Sequence, residues 1–183
     1  DDMTFRAIQT LKAVDLIACE DTRVTQKLLN HFEIDTSKTS YHEHNVQEKT
    51  NELIQLLLEG KDIAQVSDAG MPSISDPGVE LVKAAIDYQI AVVPLPGPNA
   101  AVTALIASGI SPQPFTFYGF LSRKKSELTE ELETLKDKEE TLIFYESPYR
   151  LAKMLAVLAE VFGGNRRVVL AREVTKRFEE FIR

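Results

Sequence analysis

The feature that most restricts how this chain can fold is a repeated alternation of short β-branched runs with longer stretches of helical spacing. Residues 15–20, 62–67 and 90–95 are such runs, each followed by turn residues and then by a helix-like segment. An alternation of this kind predicts an α/β fold built from βα units, with a mostly parallel sheet and helices against it. Residues 45–59 carry the clearest helix signals. Asn45 reads as the cap, Glu48 completes a capping box, Ile54, Leu57 and Leu58 share a face, and Gly60 ends the segment. Asp76-Pro77 reads as a second start, with Asp as the cap and Pro in the first helical position. Residues 99–108 are apolar nearly all round, which predicts a buried helix stopped by Gly109.

Two prolines in "GISPQPF" interrupt the pattern and place a domain boundary after residue 110. The expected organisation is an N-terminal α/β domain over 1–110 and a smaller C-terminal α/β domain over 111–183. In the second, residues 115–120, 141–146 and 167–172 read as strands, and residues 125–136 and 148–162 as helices. A length of 183 residues accommodates either one large domain or two small ones. The chain opens on a helix pattern with no strand before it and stops after a strand and a charged turn. The expectation is therefore a fragment of a longer chain, lacking an N-terminal strand and further C-terminal strands.

A net charge of −7 argues against a protein that coats nucleic acid through a general positive field. Local basic groups exist nonetheless, at Arg123, Lys124 and Lys125, at Arg166 and Arg167, and at Arg172, Lys176 and Arg177. The single cysteine, Cys19, excludes an internal disulfide and a cysteine-built metal cluster. No apolar run has the roughly 18 residues of a membrane helix, and the chain reads as cytosolic.

Chemistry concentrates in three turns, "CEDTR", "VSDAGMPSISDPG" and "PLPGPNAA", each placed after one of the first three strand-like runs. In open α/β sheets ligands sit beyond the carboxyl ends of the strands, so these turns are expected to converge. In the second turn, Ala69-Gly70 and Pro77-Gly78 permit close backbone approach and Asp68 supplies a carboxylate, whereas Asp76 reads as a helix cap. Pro96-Gly97-Pro98 is rigid and poor in donors, suiting a flat apolar group better than a phosphate. Glu20 and Asp21 either start the next helix or face the ligand, and Arg23 is placed to reach phosphate. The H-x-H of "YHEHN" lacks further ligands, and no metal site is assigned. The glycine-rich dinucleotide loop, the P-loop and the G-x-S-x-G elbow are all absent, which leaves a small-molecule-binding α/β protein.

Taken together, "EDTRVTQKLL", "YHEHN", "VSDAGMPSISDPG", "VPLPGPNAAVTALIASG" and "TLIFYESPYRL" resemble the small-subunit ribosomal RNA methyltransferase I family, a branch of the tetrapyrrole methylase superfamily. The resemblance covers essentially the whole chain. It implies a two-domain, usually homodimeric enzyme that uses S-adenosylmethionine to methylate a cytidine ribose 2′-hydroxyl in the decoding region of small-subunit rRNA, with the cofactor in the interdomain cleft. Matched by motif, Asp68, Ala69, Gly70, Pro72 and Ile74 fall on the cofactor loop. Pro96, Gly97, Pro98 and Ala100 fall on a second cofactor turn, and Phe144, Tyr145 and Glu146 come from the other domain. Where the family commonly has His, this chain has Tyr149, so that position is given no proton-transfer role.

Methyl transfer from a sulfonium is an in-line displacement, and something must accept the proton of the weakly acidic ribose hydroxyl. His42, Glu20 and Glu146 are the candidates. Arg23, Asn45 and Arg150 are expected to contact RNA phosphate and sugar, with Arg123, Lys124 and Lys125 adding local positive charge. Two rival readings stand beside this one: a methylase of the same superfamily acting on a tetrapyrrole or other small molecule, and a non-catalytic binding fragment.

Overall fold

The computed structural model describes residues 2–183. It divides into two compact units, one running to Asn99 and one from Ala100 to Arg183. This division lies before the apolar helix, whereas the sequence expectation places the domain boundary after residue 110. The reason lies in that helix's C-terminal carbonyls. Arg183 donates to the carbonyls of Ala107 (2.7 Å) and Ser108 (3.4 Å), and Arg167 donates to that of Gly109 (3.4 Å), tying the segment to the second unit.

The first unit holds helices α1 (Phe5–Ala13), α2 (Thr22–His31), α3 (Val46–Leu58) and α4 (Val79–Asp87), with strands β1 (Leu16–Cys19), β2 (Lys38–Ser40) and β3 (Ile63–Val66). Its sheet runs β2-β1-β3, and both pairings are parallel. Strand β1 is central and shows why period-2 alternation specifies a two-sided core. Ile17 and Cys19 pack with Leu11 of α1 and Leu29 of α2 on one face. Ala18 packs with Leu53 and Ile54 of α3 and Leu81 and Ala85 of α4 on the other. Side chains as thoroughly buried as Ile17, Leu29 and Leu53 each contribute about 1.5–3 kcal/mol.

In the second unit, α5 (Ala100–Ser108) precedes β4 (Phe115–Phe120), α6 (Lys125–Glu133), β5 (Thr141–Tyr145), α7 (Leu151–Phe162), β6 (Leu170–Arg172) and β7 (Glu180–Ile182). Strands β4 and β5 pair in parallel, and β6 pairs antiparallel with β7. Leu128 and Leu132 of α6 interlock with Met154, Val157 and Leu158 of α7.

Several local expectations are corrected. Residues 90–95 form no strand, because no ladder partner lies beside them; Val92 and Val93 are exposed. The short strands β2 and β7 have no counterpart in the sequence reading, since three-residue strands have too little periodicity to register. The strand expected over 167–172 shrinks to β6. Asn45 precedes α3 but makes no side-chain cap bond. Asp76 does not cap α4 either, because the chain turns once more and the cap falls on Gly78, at φ 152°.

Candidate functional site

The register of the first sheet sets the site. Cys19 of β1 lies opposite both Ser40 of β2 and Val66 of β3, so the carboxyl ends of the three parallel strands are level. Neighbouring strands lie about 4.8 Å apart, so the residues just beyond them emerge side by side. These are Glu20–Asp21 in the middle, Tyr41–His42 on one flank and Ser67–Asp68 on the other.

The central and β3 ends clamp each other. The Asp21 N–H donates to Oδ1 of Asp68 at 3.2 Å. In return, the Glu20 carboxylate is engaged by the backbone N–H of Asp68. Asp21 also caps α2, accepting from the Arg23 N–H at 2.8 Å, and pairs with the Arg23 guanidinium at 2.7 Å. That guanidinium depresses the Asp21 carboxyl well below the usual range. Arg23 is itself largely solvent-exposed, where such a pair is weak and easily exchanged.

On the β2 flank, Tyr41 is a core residue. Its hydroxyl meets that of Thr50 at 3.1 Å, and its N–H donates to the Cys19 carbonyl at 2.7 Å. The next residue is held as firmly: the His42 N–H donates to Oδ1 of Asn45 at 2.9 Å, while Nδ2 of Asn45 donates to the carbonyl and hydroxyl of Ser40. Asn45 therefore shapes the turn. The His42 ring carries a buried Nδ1 with no hydrogen-bond partner among the described residues. A buried polar atom left unpaired costs about 1–3 kcal/mol, a cost that a ligand group bonding there would remove. The His42 and His44 rings lie 5.9 Å apart, and no group of metal-ligating side chains accompanies them among the described residues.

The loop after β3 folds into a compact arch. Its far end is tied back by Gln65, whose Nε2 donates to the Pro77 carbonyl at 2.8 Å, and by the Ser73 N–H donating to the same oxygen at 3.3 Å. Ser73 and Ser75 hold φ of 69° and 62°, a left-handed conformation that non-glycine residues enter at a cost of about 1–3 kcal/mol. The arch meets the Pro96-Gly97-Pro98 turn. A Cβ on Gly70 would stand 3.8 Å from the Pro98 carbonyl, and one on Gly97 would stand 3.4 Å from Met71. The two turns matched to a cofactor are thus neighbours in space.

Sequence reasoning missed Asp76. Its carboxyl is pushed up first by burial and then by the charge of Asp68, with the Ser67 hydroxyl pulling it back. Glu20 is raised likewise, by burial and then by Asp68 and Asp76. Three acids therefore lie close together, two in the arch and Glu20 beside it. The dipeptide Asp-Pro offered a complete local explanation for Asp76, and only the extra turn before Gly78 frees it. Ionised Asp76 opposes folding above its raised pKa, and the opposition fades as pH falls through that value. Asp76→Asn is expected to stabilise the ligand-free protein at pH 7 by about 0.5–1 kcal/mol, reduced for partial exposure. The gain in melting temperature should vanish in acid, where the native Asp76 is already protonated; a gain that persists there would assign it to something other than charge.

The remaining candidates lie in the second unit. Phe144 and Tyr145 occupy β5, where Phe144 stacks on Tyr118 at 5.6 Å and Tyr145 meets Phe117 edge-on at 4.9 Å. Glu146 comes next, its side chain only 6% exposed, accepting the Ser147 N–H at 2.7 Å and pairing with Arg150 at 3.4 Å. Arg150 also donates to the Ser122 carbonyl at 3.0 Å, so both members of this pair are engaged within the unit. Ala100 opens α5 in the same unit, and Arg123, Lys124 and Lys125 are exposed just after β4.

The arch suits a cationic, hydroxyl-bearing ligand. Its two carboxylates, with Glu20 beside them, favour a sulfonium or ammonium centre and can accept hydrogen bonds from ribose hydroxyls, while the donor-poor Pro-Gly-Pro turn offers a flat apolar surface. The family model for tetrapyrrole (corrin/porphyrin) methylases matches residues 1–183. The ribosomal RNA small subunit methyltransferase I of Bacillus subtilis (strain 168) is 59% identical over 183 residues, covering 100% of this chain and 62% of that protein. Its namesake in Mesorhizobium japonicum is 50% identical over 179 residues, covering 98% and 61%. The chain therefore spans less than two thirds of the length of these relatives. Among solved structures, the cobalt precorrin-4 methyltransferase CbiF aligns with a TM-score of 0.68 at 16% identity, covering 100% of this chain and 79% of that one. The methyltransferase CobJ aligns at 0.69 and 17%, covering 98% and 79%. At these identities the likeness is one of fold.

Proposed function

The chain belongs to the tetrapyrrole (corrin/porphyrin) methylase family, and from that premise we propose that it methylates the ribose 2′-hydroxyl of a cytidine in the decoding region of small-subunit rRNA. The observation that carries the reading is the 59% identity to an rRNA methyltransferase across the entire chain. The acidic arch, which suits a sulfonium donor, supports it. S-adenosylmethionine would supply an electrophilic methyl group.

The chain's own residues then have distinct tasks. Asp68, with Ala69, Gly70, Pro72 and Ile74, forms the arch that holds the donor, and Asp76 joins it. Pro96, Gly97 and Pro98 close against that arch. His42 takes the proton of the attacking hydroxyl: the buried unpartnered Nδ1 and the rigidly held backbone favour it. Glu20 is held by the Asp68 N–H and repelled by two other acids, a setting that suits orienting a hydroxyl. Glu146 is committed to Arg150, which favours structural work for both. Arg23, exposed and loosely paired, is the phosphate contact in the first unit. The enzyme acts in the cytoplasm as a homodimer, in keeping with its family resemblance, and no helix among the described residues is long and apolar enough to cross a membrane.

The test is methyl transfer from labelled S-adenosylmethionine to small ribosomal subunits lacking ribose methylation, with the product then mapped. Label on a single cytidine ribose is expected. Label on a tetrapyrrole acceptor with none on RNA would replace the substrate while keeping the chemistry.

A further inference from the structure

Ser122, directly after Leu121 at the carboxyl end of β4, has every hydrogen-bonding group held by a charged side chain. Its N–H donates to Glu131 Oε2 at 3.0 Å and its hydroxyl to Glu131 Oε1 at 2.6 Å. Its carbonyl accepts from Arg150 Nη2 at 3.0 Å. Arg150 is anchored in turn by the buried Glu146 at the carboxyl end of β5. Hydrogen bonds to charged groups are stronger than neutral ones, so one residue between strand and helix is fixed far more firmly than a connection requires. The basic run Arg123, Lys124 and Lys125 comes immediately after Ser122, and all three residues are exposed. Lys124 and Lys125 pair only with the exposed Glu127 (2.9 Å) and Glu160 (3.0 Å). Exposed pairs contribute little and are readily exchanged for a phosphate oxygen.

We propose that Glu131 is a positioning residue for RNA binding: through Ser122, and with Arg150 bracing the same residue, it presents Arg123, Lys124 and Lys125 as a preformed phosphate-contacting edge beside the carboxyl ends of β4 and β5. The proposal rests on the rRNA reading above and explains how a chain of net charge −7 engages RNA. A local edge held in one geometry loses little entropy on binding, so a few cations suffice without a basic surface. The depressed carboxyl of Glu131, lowered by its two bonds to Ser122, keeps the anchor charged at working pH.

A double-mutant cycle on methyl transfer to small ribosomal subunits tests it. The triple replacement Arg123→Gln, Lys124→Gln, Lys125→Gln should raise KM for subunits and lower the slope of log affinity against log salt by about 2–3, at 0.7–0.9 per phosphate contact. Glu131→Gln should raise KM about three- to tenfold at unchanged kcat and unchanged S-adenosylmethionine affinity, and should do so only when the three cations are present. Ser122→Ala, which removes only the hydroxyl bond, should show a smaller effect of the same kind if Glu131→Gln lowers the melting temperature sharply. An equal Glu131→Gln effect with and without the cations, or none, overturns the proposal while native transfer stands. Absence of transfer by the native protein overturns the rRNA reading and this inference with it.

Discussion

If the proposed rRNA methylation holds, His42→Ala is expected to lower the rate of methyl transfer by about a hundredfold or more, with S-adenosylmethionine affinity within about twofold of native. General-base contributions span about 10² to 10⁴, and the lower figure applies if Glu20 or solvent partly substitutes. The expectation comes from the β2 flank. Tyr41 is locked in the core, Asn45 fixes the His42 N–H, and the imidazole is thereby held at the level carboxyl ends of the strands with Nδ1 unpaired. Nothing in this arrangement holds the donor, so rate and cofactor affinity should separate. Single-turnover kinetics and calorimetry on the same variant read both quantities. A native rate would make the imidazole a packing group and pass the proton to Glu20; a parallel loss of cofactor affinity would place His42 in the donor site.

Gly78→Ala should cost about 2–5 kcal/mol and, if the arch holds the cofactor as proposed, abolish its tight binding. Two effects add. A backbone at φ 152° is strained for any L side chain, about 1–3 kcal/mol, and a new Cβ would run into the side chains of Gln65 and Ser73, an overpacking cost of about 1–3 kcal/mol. Gln65 and Ser73 are the residues that close the arch on the Pro77 carbonyl, so relief of the collision opens the loop that bears Asp68 and Asp76. A fall in melting temperature of roughly 5–15 °C is expected for a chain of this size. Gly60→Ala is the control. Gly60 also has positive φ, 89°, but a Cβ there meets nothing within 4 Å, so only the conformational cost remains. Equal losses for the two variants would show that backbone strain alone matters and that the arch tolerates the collision.

Much of the fold is legible along the chain. The alternation of periods locates β1, β3, β4, β5 and helices α3, α6 and α7 within a few residues, and the apolar pattern anticipates α5 as well. The elements that escape it are set by partners distant in sequence. Residues 90–95 have strand-like composition, yet a strand exists only where another strand supplies donors and acceptors. The three residues of β2 carry no readable pattern, and they are ordered because Cys19 and Ser40 fall in register.

The site divides in the same way. Turn chemistry is sufficient to mark the three loops, because Asp, Pro and Gly act on their own backbones. Their meeting, the clamp between Asp21 and Asp68 across 47 residues, and the proximity of Glu20 to Asp68 and Asp76 depend on level strand ends. Local rules place Asn45 correctly at the start of α3 but not its side chain, which turns back to Ser40 and His42, and they misassign Asp76 as a cap, since the last turn of a loop decides which residue sits at a helix start. The sequence by itself determined that the chain is a run of strand–helix units with ligand-type loops, since periodicity and turn propensity are properties of neighbouring residues. Only the tertiary structure decided which carboxylates lie close together and which charged side chains hold Ser122, because burial, like-charge proximity and Arg150's bracing of Ser122 arise between residues that the chain keeps far apart.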